Sequence, residues 1–239
     1  MSLRFGISQR KTFCLTEGLK GDDLKYSICS GEVFGDAEWE EVAGLFSSSY
    51  GIYSQRDPAG RAGLQIRLSP GYYRRTYASD AYRVAVCREG ERLVAEAVLR
   101  VCETSRGRAA LVVQLVVEEA YRRHGVVSRL LQEIWAGADF CCMGVVTSNA
   151  FTIKALERAT ARRVEPQVMK VNEAFIRREI LSGVGFLAGA EWMVSATASV
   201  IDSGFYTDRS FPSEATMELS KRLGVLPEGA EWLAVVFGG

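Results

Sequence analysis

Residues 111–131, LVVQLVVEEAYRRHGVVSRLL, carry an apolar strand into a short basic turn with one glycine, and the turn opens an amphipathic helix. How this junction is read decides the fold. A strand of near-continuous apolar character belongs inside a sheet that is covered on both faces. A helix N-terminus carries unpaired N–H groups and the positive end of the macrodipole, so a negatively charged group docks there. Arg122, Arg123 and His124 add cationic or donor groups at the same place, and Gly125 lets the backbone come close to a ligand. The turn has neither the Gly-Lys-Ser/Thr of a P-loop nor the Gly-x-Gly-x-x-Gly of a dinucleotide site.

Upstream, residues 82–87 and 92–102 read as two strands joined by Arg88-Glu89-Gly90-Glu91, an antiparallel hairpin. The fourth strand covers 109–117. Downstream, Val127, Leu130, Leu131, Ile134 and Trp135 form the buried stripe of the helix that starts near Gly125. Residues 140–147 are a further apolar strand. Thr147-Ser148-Asn149 then leads into a helix over about 150–161. Two strands joined by a helix are parallel neighbours. A first strand is expected over 24–30, and a helix over about 37–48 with Asp36 as its N-cap. Residues 47–63 read as a mobile connection, and 70–75 as the start of a short helix.

This order resembles the GNAT superfamily of N-acetyltransferases. The family's motif A is a strand, then Arg/Gln-x-x-Gly-x-Gly/Ala, then a helix; here it reads Arg122-Arg123-His124-Gly125-Val126-Val127. Val127 departs from the small residue of the pattern. A Thr-Ser-Asn turn after the fifth strand is also common in the family. The resemblance spans about 24–165. It implies an α/β fold with a mixed, mostly antiparallel sheet, splayed fourth and fifth strands and helices on both faces. Residues 166–239 would elaborate one single domain of 1–239. A helix is expected over 174–181 and another over 212–223, with Ser213 as cap. Strands over 198–206 and 232–237 would complete the sheet, and the added helices would wall the substrate side.

The resemblance also implies acetyl-CoA as co-substrate. The phosphates would meet Arg122, Arg123, His124, Gly125, Val126, Val127 and Ser128. The pantetheine arm would pair with the backbone of Leu115, Val116 and Val117, with the Val117 N–H donating to the thioester oxygen. Asn149 either holds that arm or caps its helix. The family's tyrosine acid is missing from the helix after Asn149, where this chain has Ala155, Leu156 and Glu157. Glu96, an acid inside the apolar run 93–99, reads as a base or as an outward-facing strand residue. Glu118 and Glu119 read as exposed turn residues, and Tyr206 and Asp208 are reserve candidates. The tyrosines at 50, 53, 72, 73 and 77 either line a pocket or cover the sheet edge. The implied function is acetyl transfer to a primary amine of a small molecule or peptide in a ternary complex. A degenerate module that binds an acyl-CoA without turnover is the alternative. An unrelated α/β protein holding another phosphate ligand is the third reading.

Composition narrows the classes. The 239 residues hold 29 Lys plus Arg and 29 Asp plus Glu, a balance unlike that of a dedicated nucleic-acid binder. With a single histidine and no Cys-x-x-Cys, no metal site is expected. The six cysteines, at 14, 29, 87, 102, 141 and 142, read as reduced, which points to the cytoplasm. Residues 1–9 lack a leader's apolar core, and no run approaches the ~20 apolar residues of a membrane span. Homodimers are frequent in the resembled family, so a dimer is the expectation.

Overall fold

A computed structural model describes residues 23–209 and 213–238. The expectations placed on residues 1–9 and on Cys14 lie outside the described residues. Eight strands form one sheet: β1 Leu24–Ser30, β2 Tyr82–Glu89, β3 Arg92–Thr104, β4 Gly107–Val117, β5 Phe140–Thr147, β6 Trp192–Val194, β7 Ser199–Asp202 and β8 Ala230–Phe237. Their spatial order is β1-β2-β3-β4-β5-β8-β7-β6. Only β4 and β5 run parallel; every other neighbouring pair is antiparallel.

Helices cover both faces because alternate strand residues point opposite ways. Val84, Val86, Val98 and Val116 share one core cluster with α1 (Asp36–Ser49) and α2 (Pro70–Tyr77). Ala85, Ala97 and Leu99 belong to another, with Leu130, Leu131 and Ile134 of α3 (Val126–Ala136) and Ile153 and Leu156 of α4 (Ala150–Thr160). Val126 is the fully buried residue at the start of α3. Val127 and Trp135, expected in the stripe, are only half-buried. Asp36 is likewise not the cap of α1. Gly35 takes that place, its N–H donated to the Glu38 carboxylate, while Asp36 sits in the first turn and pairs with Arg74 at 2.9 Å.

The segment between α1 and α2 is well tied rather than slack. Ile52 bridges to Gln65 and Tyr53 to Thr207. Within it, the carboxylate of Asp57 holds the Arg61 guanidinium at 2.7 and 3.0 Å. This pair closes a loop within the segment read as mobile.

The C-terminal part differs from expectation in detail. β7 is shorter than 198–206, and β6, which no alternation announced, pairs with it. Helix α5 (Pro166–Val171) also went unanticipated; Met169 on it meets the core beside Val235. The expected 174–181 helix is one α turn, α6 (Glu173–Phe175), running into the π-helical turn Ile176–Leu181. α7 (Glu214–Leu223) is capped by Ser213, as its sequence implied. It is fastened to α4 by Arg222–Glu157 at 2.7 Å and Lys154–Glu218 at 2.6 Å.

One glycine has no room for a side chain. A Cβ on Gly31 would lie 2.1 Å from the Tyr77 carbonyl oxygen, a backbone atom that cannot swing aside. Gly31→Ala is expected to lower unfolding free energy by about 1–3 kcal/mol, the usual cost of overpacking. Urea denaturation of the two proteins measures it, and an unchanged midpoint would contradict this packing.

Candidate active site

The cleft starts with a fault in the ladder between β3 and β4. Val98 faces Gln114 and Leu99 faces Val112, so Val113 is an extra residue on β4. A bulge of this kind bends and twists its strand. β5 does not follow. It pairs with β4 only from Arg108↔Phe140 to Val112↔Val145, yet stays paired with β8 to Thr147↔Trp232. Beyond Val112 the two strands diverge. The cleft between them has a volume of roughly 900 Å³.

Antiparallel pairing alternates residues whose main-chain groups meet the partner with residues whose groups point away. The Glu118 N–H donates to the Val94 carbonyl at 2.9 Å, so Glu118 and Val94 are a bonded pair. By that alternation Val116 bonds to Glu96, while Leu115 and Val117 turn their N–H and C=O groups toward the gap. The Val117 carbonyl accepts from Arg122 Nε at 3.2 Å. The same guanidinium donates to the Ser49 carbonyl at the end of α1. Arg122 thus ties α1, β4 and the turn together.

Arg123 and Gly125 both have left-handed backbones, with φ of 66° and 81°. Gly125 is the N-cap of α3, and the space where its Cβ would stand is open. Among the expected residues, Leu115, Val116, Val117, Arg122, Arg123, Gly125, Val126, Val127, Ser128 and Asn149 all line the cleft. His124 does not; it is exposed on the far side of the turn. Asn149 caps α4, its side chain accepting from the Phe151 N–H at 2.9 Å. Helix periodicity puts Phe151, Lys154 and Arg158 on the face of α4 that lines the cleft, and Arg123 lies 5.8 Å over the Phe151 ring. Ala155 lines it too. Lys154 and Arg158 were missed because the helix was read only for a tyrosine acid. Three residues on from Phe151 and four more on, they could have been found from spacing alone.

The other end of the cleft is aromatic and acidic. Phe46 stacks on Tyr50 with centroids 4.4 Å apart, and Tyr50 meets Phe205 edge-on at 5.6 Å. Tyr72 and Tyr77 also line this end, while Tyr53 lies under Arg61 and Tyr73 is buried. Tyr50, Tyr72 and Tyr77 therefore take the pocket-lining role, and Tyr53 and Tyr73 do not line the cleft. Glu231, which sequence reading passed over at the edge of the last strand, faces the cleft and is only 6% exposed. Burial raises its carboxyl above the ordinary range. The Ser203 hydroxyl, the Arg209 charge and the Ser148 N–H oppose that rise. Asp208 lines the cleft as well, whereas Tyr206 packs against Gly229. Of the added C-terminal helices, only the start of α7 and Phe186 reach the wall.

Glu96 is not brought to the cleft surface. It faces the α1–α2 layer, fully buried, with neither carboxylate oxygen hydrogen-bonded. Burial pushes its carboxyl up to about 8. Glu96 lies in the same layer as Tyr50, Tyr73 and Tyr77, whose hydroxyls are held protonated first by burial and further by any charge on Glu96. The five described cysteines are free thiols. No group of three or more His, Cys, Asp or Glu side chains among the described residues could hold a metal ion. None of their helices is long and apolar enough to cross a membrane.

No family model and no curated protein sequence matches the chain. Solved structures do resemble it in arrangement. Naa50 of Arabidopsis thaliana, in complex with the bisubstrate analogue CoA-Ac-MVNAL, is 13% identical over 89% of this chain and 99% of its own, with a TM-score of 0.43. The acetyltransferase of GNAT family from Streptococcus pneumoniae is 13% identical over 90% and 99%, with a TM-score of 0.41. An aminoglycoside acetyltransferase from an uncultured soil metagenomic sample, in complex with sisomicin, is 14% identical over 59% and 88%, with a TM-score of 0.42.

The buried acid has a measurable signature. Its native value lies above the ordinary carboxyl value of 4.5, so between there and about 8 the folded protein binds more protons than the unfolded chain. Stability should fall as pH rises through that window, by at most about 1.4 kcal/mol per pH unit from this group. Glu96→Gln is expected to flatten the profile and to stabilise the protein at the alkaline end. Thermal melts of both proteins from pH 5 to 9 check this, and parallel profiles would contradict it.

Proposed function

We propose that this chain is a member of the GNAT superfamily and an acetyl-CoA-dependent N-acetyltransferase. The observation that carries the reading is the early end of the β4–β5 ladder beside a glycine-capped helix N-terminus. A pantetheine arm has the extended form of a missing strand. It would lie in the gap against the main-chain groups of Leu115 and Val117. The diphosphate would meet the N–H groups of Val126, Val127 and Ser128 at the positive end of α3. Arg123, Lys154 and Arg158 supply charge on that side of the cleft. Asn149 keeps one amide nitrogen for the arm while its oxygen caps α4.

The chemistry then falls to positioning and to one polarising donor. Held in the gap, the thioester carbonyl would lie against the Val117 N–H as negative charge grows on its oxygen. An amine entering from the aromatic end attacks the carbonyl carbon directly, and the thiolate leaves as CoA. Proximity in such a ternary complex removes most of the entropic cost of a bimolecular step. The occupant of Ala155's place has no hydroxyl, so the leaving thiolate takes its proton from another donor or from water. That absence favours the second reading, a module that binds an acyl-CoA without turnover.

Calorimetry with acetyl-CoA, ATP and NAD tests the ligand, and thiol release with an amine panel tests turnover. Acetyl-CoA alone should bind and raise the melting temperature. Tight binding with no turnover on any amine would select the non-catalytic module. Preference for ATP or NAD would remove both readings. Gly125→Val should raise the acetyl-CoA Kd at least tenfold by filling the open approach to the turn. A bulky residue with positive φ costs about 1–2 kcal/mol of stability, so the variant should still fold. Unchanged Kd in a folded Gly125→Val would refute the turn as the phosphate site.

A further inference from the structure

The aromatic end of the cleft differs in chemistry from the turn at the other end, and the acetyl-CoA reading uses it only as the way in for an amine. Its walls are the faces and edges of Phe46, Tyr50 and Phe205, with Leu68 and Tyr72 beside them. Beside the tyrosine hydroxyls there, the Gln114 Oε1 is buried without a hydrogen-bond partner, and the Glu231 carboxyl, at the start of β8, faces the cleft. Arg209, the cation near that carboxyl among the described residues, is already engaged. Arg209 donates to the carbonyls of Pro227 at 2.8 Å and Ala230 at 3.3 Å, and lies 3.8 Å from Glu228. The roof is fixed by Tyr53 bridging to Thr207 and by Ser148 Oγ meeting Thr207 Oγ1 at 3.3 Å.

Buried acceptors among aromatic rings select a cation. An ammonium gains from the ring faces and from a carboxylate in a site that excludes water. A carboxylate or phosphate ligand would stand against the Glu231 carboxylate and the unpartnered Gln114 Oε1. A body rich in hydroxyls would lose its hydration against apolar walls without replacement bonds. We propose that this end of the cleft takes a singly charged primary amine on an apolar body, with Glu231 as the carboxylate that holds the ammonium and accepts its proton. The assignment rests on the acetyltransferase reading above for the reaction it serves.

The proton balance is simple. The bound ammonium gives one proton to the Glu231 carboxylate and becomes a free amine. Its lone pair forms the new C–N bond as the C–S bond breaks. The second proton, acidic once nitrogen carries positive charge, passes to the departing thiolate through water. Glu231 then releases the first proton to solvent. A carboxyl already raised by burial suits a group that must hold a proton for part of the cycle.

Three measurements separate this proposal from the reading beneath it. Calorimetry with hexylamine and with hexanol, in the absence of coenzyme, reads the pocket alone. Hexylamine should bind at least tenfold tighter, and equal affinity would overturn cation recognition without any variant being made. Thiol release should be at least tenfold more efficient with hexylamine than with kanamycin or an alanine-headed peptide; the reverse order would overturn the apolar body. Glu231→Gln should cut kcat by a hundredfold or more with acetyl-CoA affinity unchanged. A folded Glu231→Gln with full activity would remove Glu231 from the role. Failure of acetyl-CoA to bind wild type, with hexylamine still bound, would count against the enzyme reading and leave the amine pocket standing.

Discussion

The rest of the site depends on two adjacent strands that cannot stay paired. β4 bends at the extra residue Val113 and stays paired with β3 on both sides of it, while β8 holds β5 on a different course. Neither strand is free to close the gap. Main-chain groups that would be ladder bonds in an ordinary sheet are left facing a cleft, where unpaired N–H and C=O groups demand a partner. Everything proposed about the ligand follows from that demand. The coenzyme arm is in effect the strand the fold leaves out.

Around this gap the protein separates its charges. Cationic side chains stand in the turn before α3 and along α4, and an acid stands among aromatic rings at the opposite end. Net neutrality conceals this polarity, since the opposing charges cancel in the sum. Arg122 sits between the two ends and donates to the carbonyls of Val117 and Ser49. Its part is to join α1 to the turn, which holds the aromatic wall at a fixed distance from the gap. Behind that wall lies a polar layer, with Glu96, Tyr73 and Trp39 each carrying a buried atom without a hydrogen bond. Unbonded polar atoms cost free energy, roughly 1–3 kcal/mol each. Three such residues stand together next to the cleft, and stability is conceded there.

The core of the fold was legible because its signals are local. The strand, glycine turn and helix at 111–131 carry their own periodicities, and so do the hairpin and the 140–161 unit. Ten of the eleven residues read for the coenzyme line one cleft, since a turn and its flanking elements move as a unit. Long-range effects were not legible. Glu96 looked catalytic because an acid in an apolar run is unusual, but which side α1 covers is settled by packing far away in sequence. Glu231 was passed over for the mirror reason: at the boundary of a strand its direction cannot be read until the register with β5 is known. β6 is too short to show alternation, and α5 has only six residues over which to show a stripe.

The position of β8 has a consequence for how the molecule assembles. This strand lies inside the sheet, between β5 and β7, although its residues follow all the other described elements. Contacts between segments so far apart in the chain form late, after the entropy of closing a long loop has been met. An intermediate holding only β1 through β5 would already have the glycine turn and α3. It would lack Glu231, and β5 would be an open edge ready to pair with another molecule. Folding order therefore separates the two ends of the cleft in time: the anion-receiving end is built from neighbours, and the amine-receiving end arrives with the last strand.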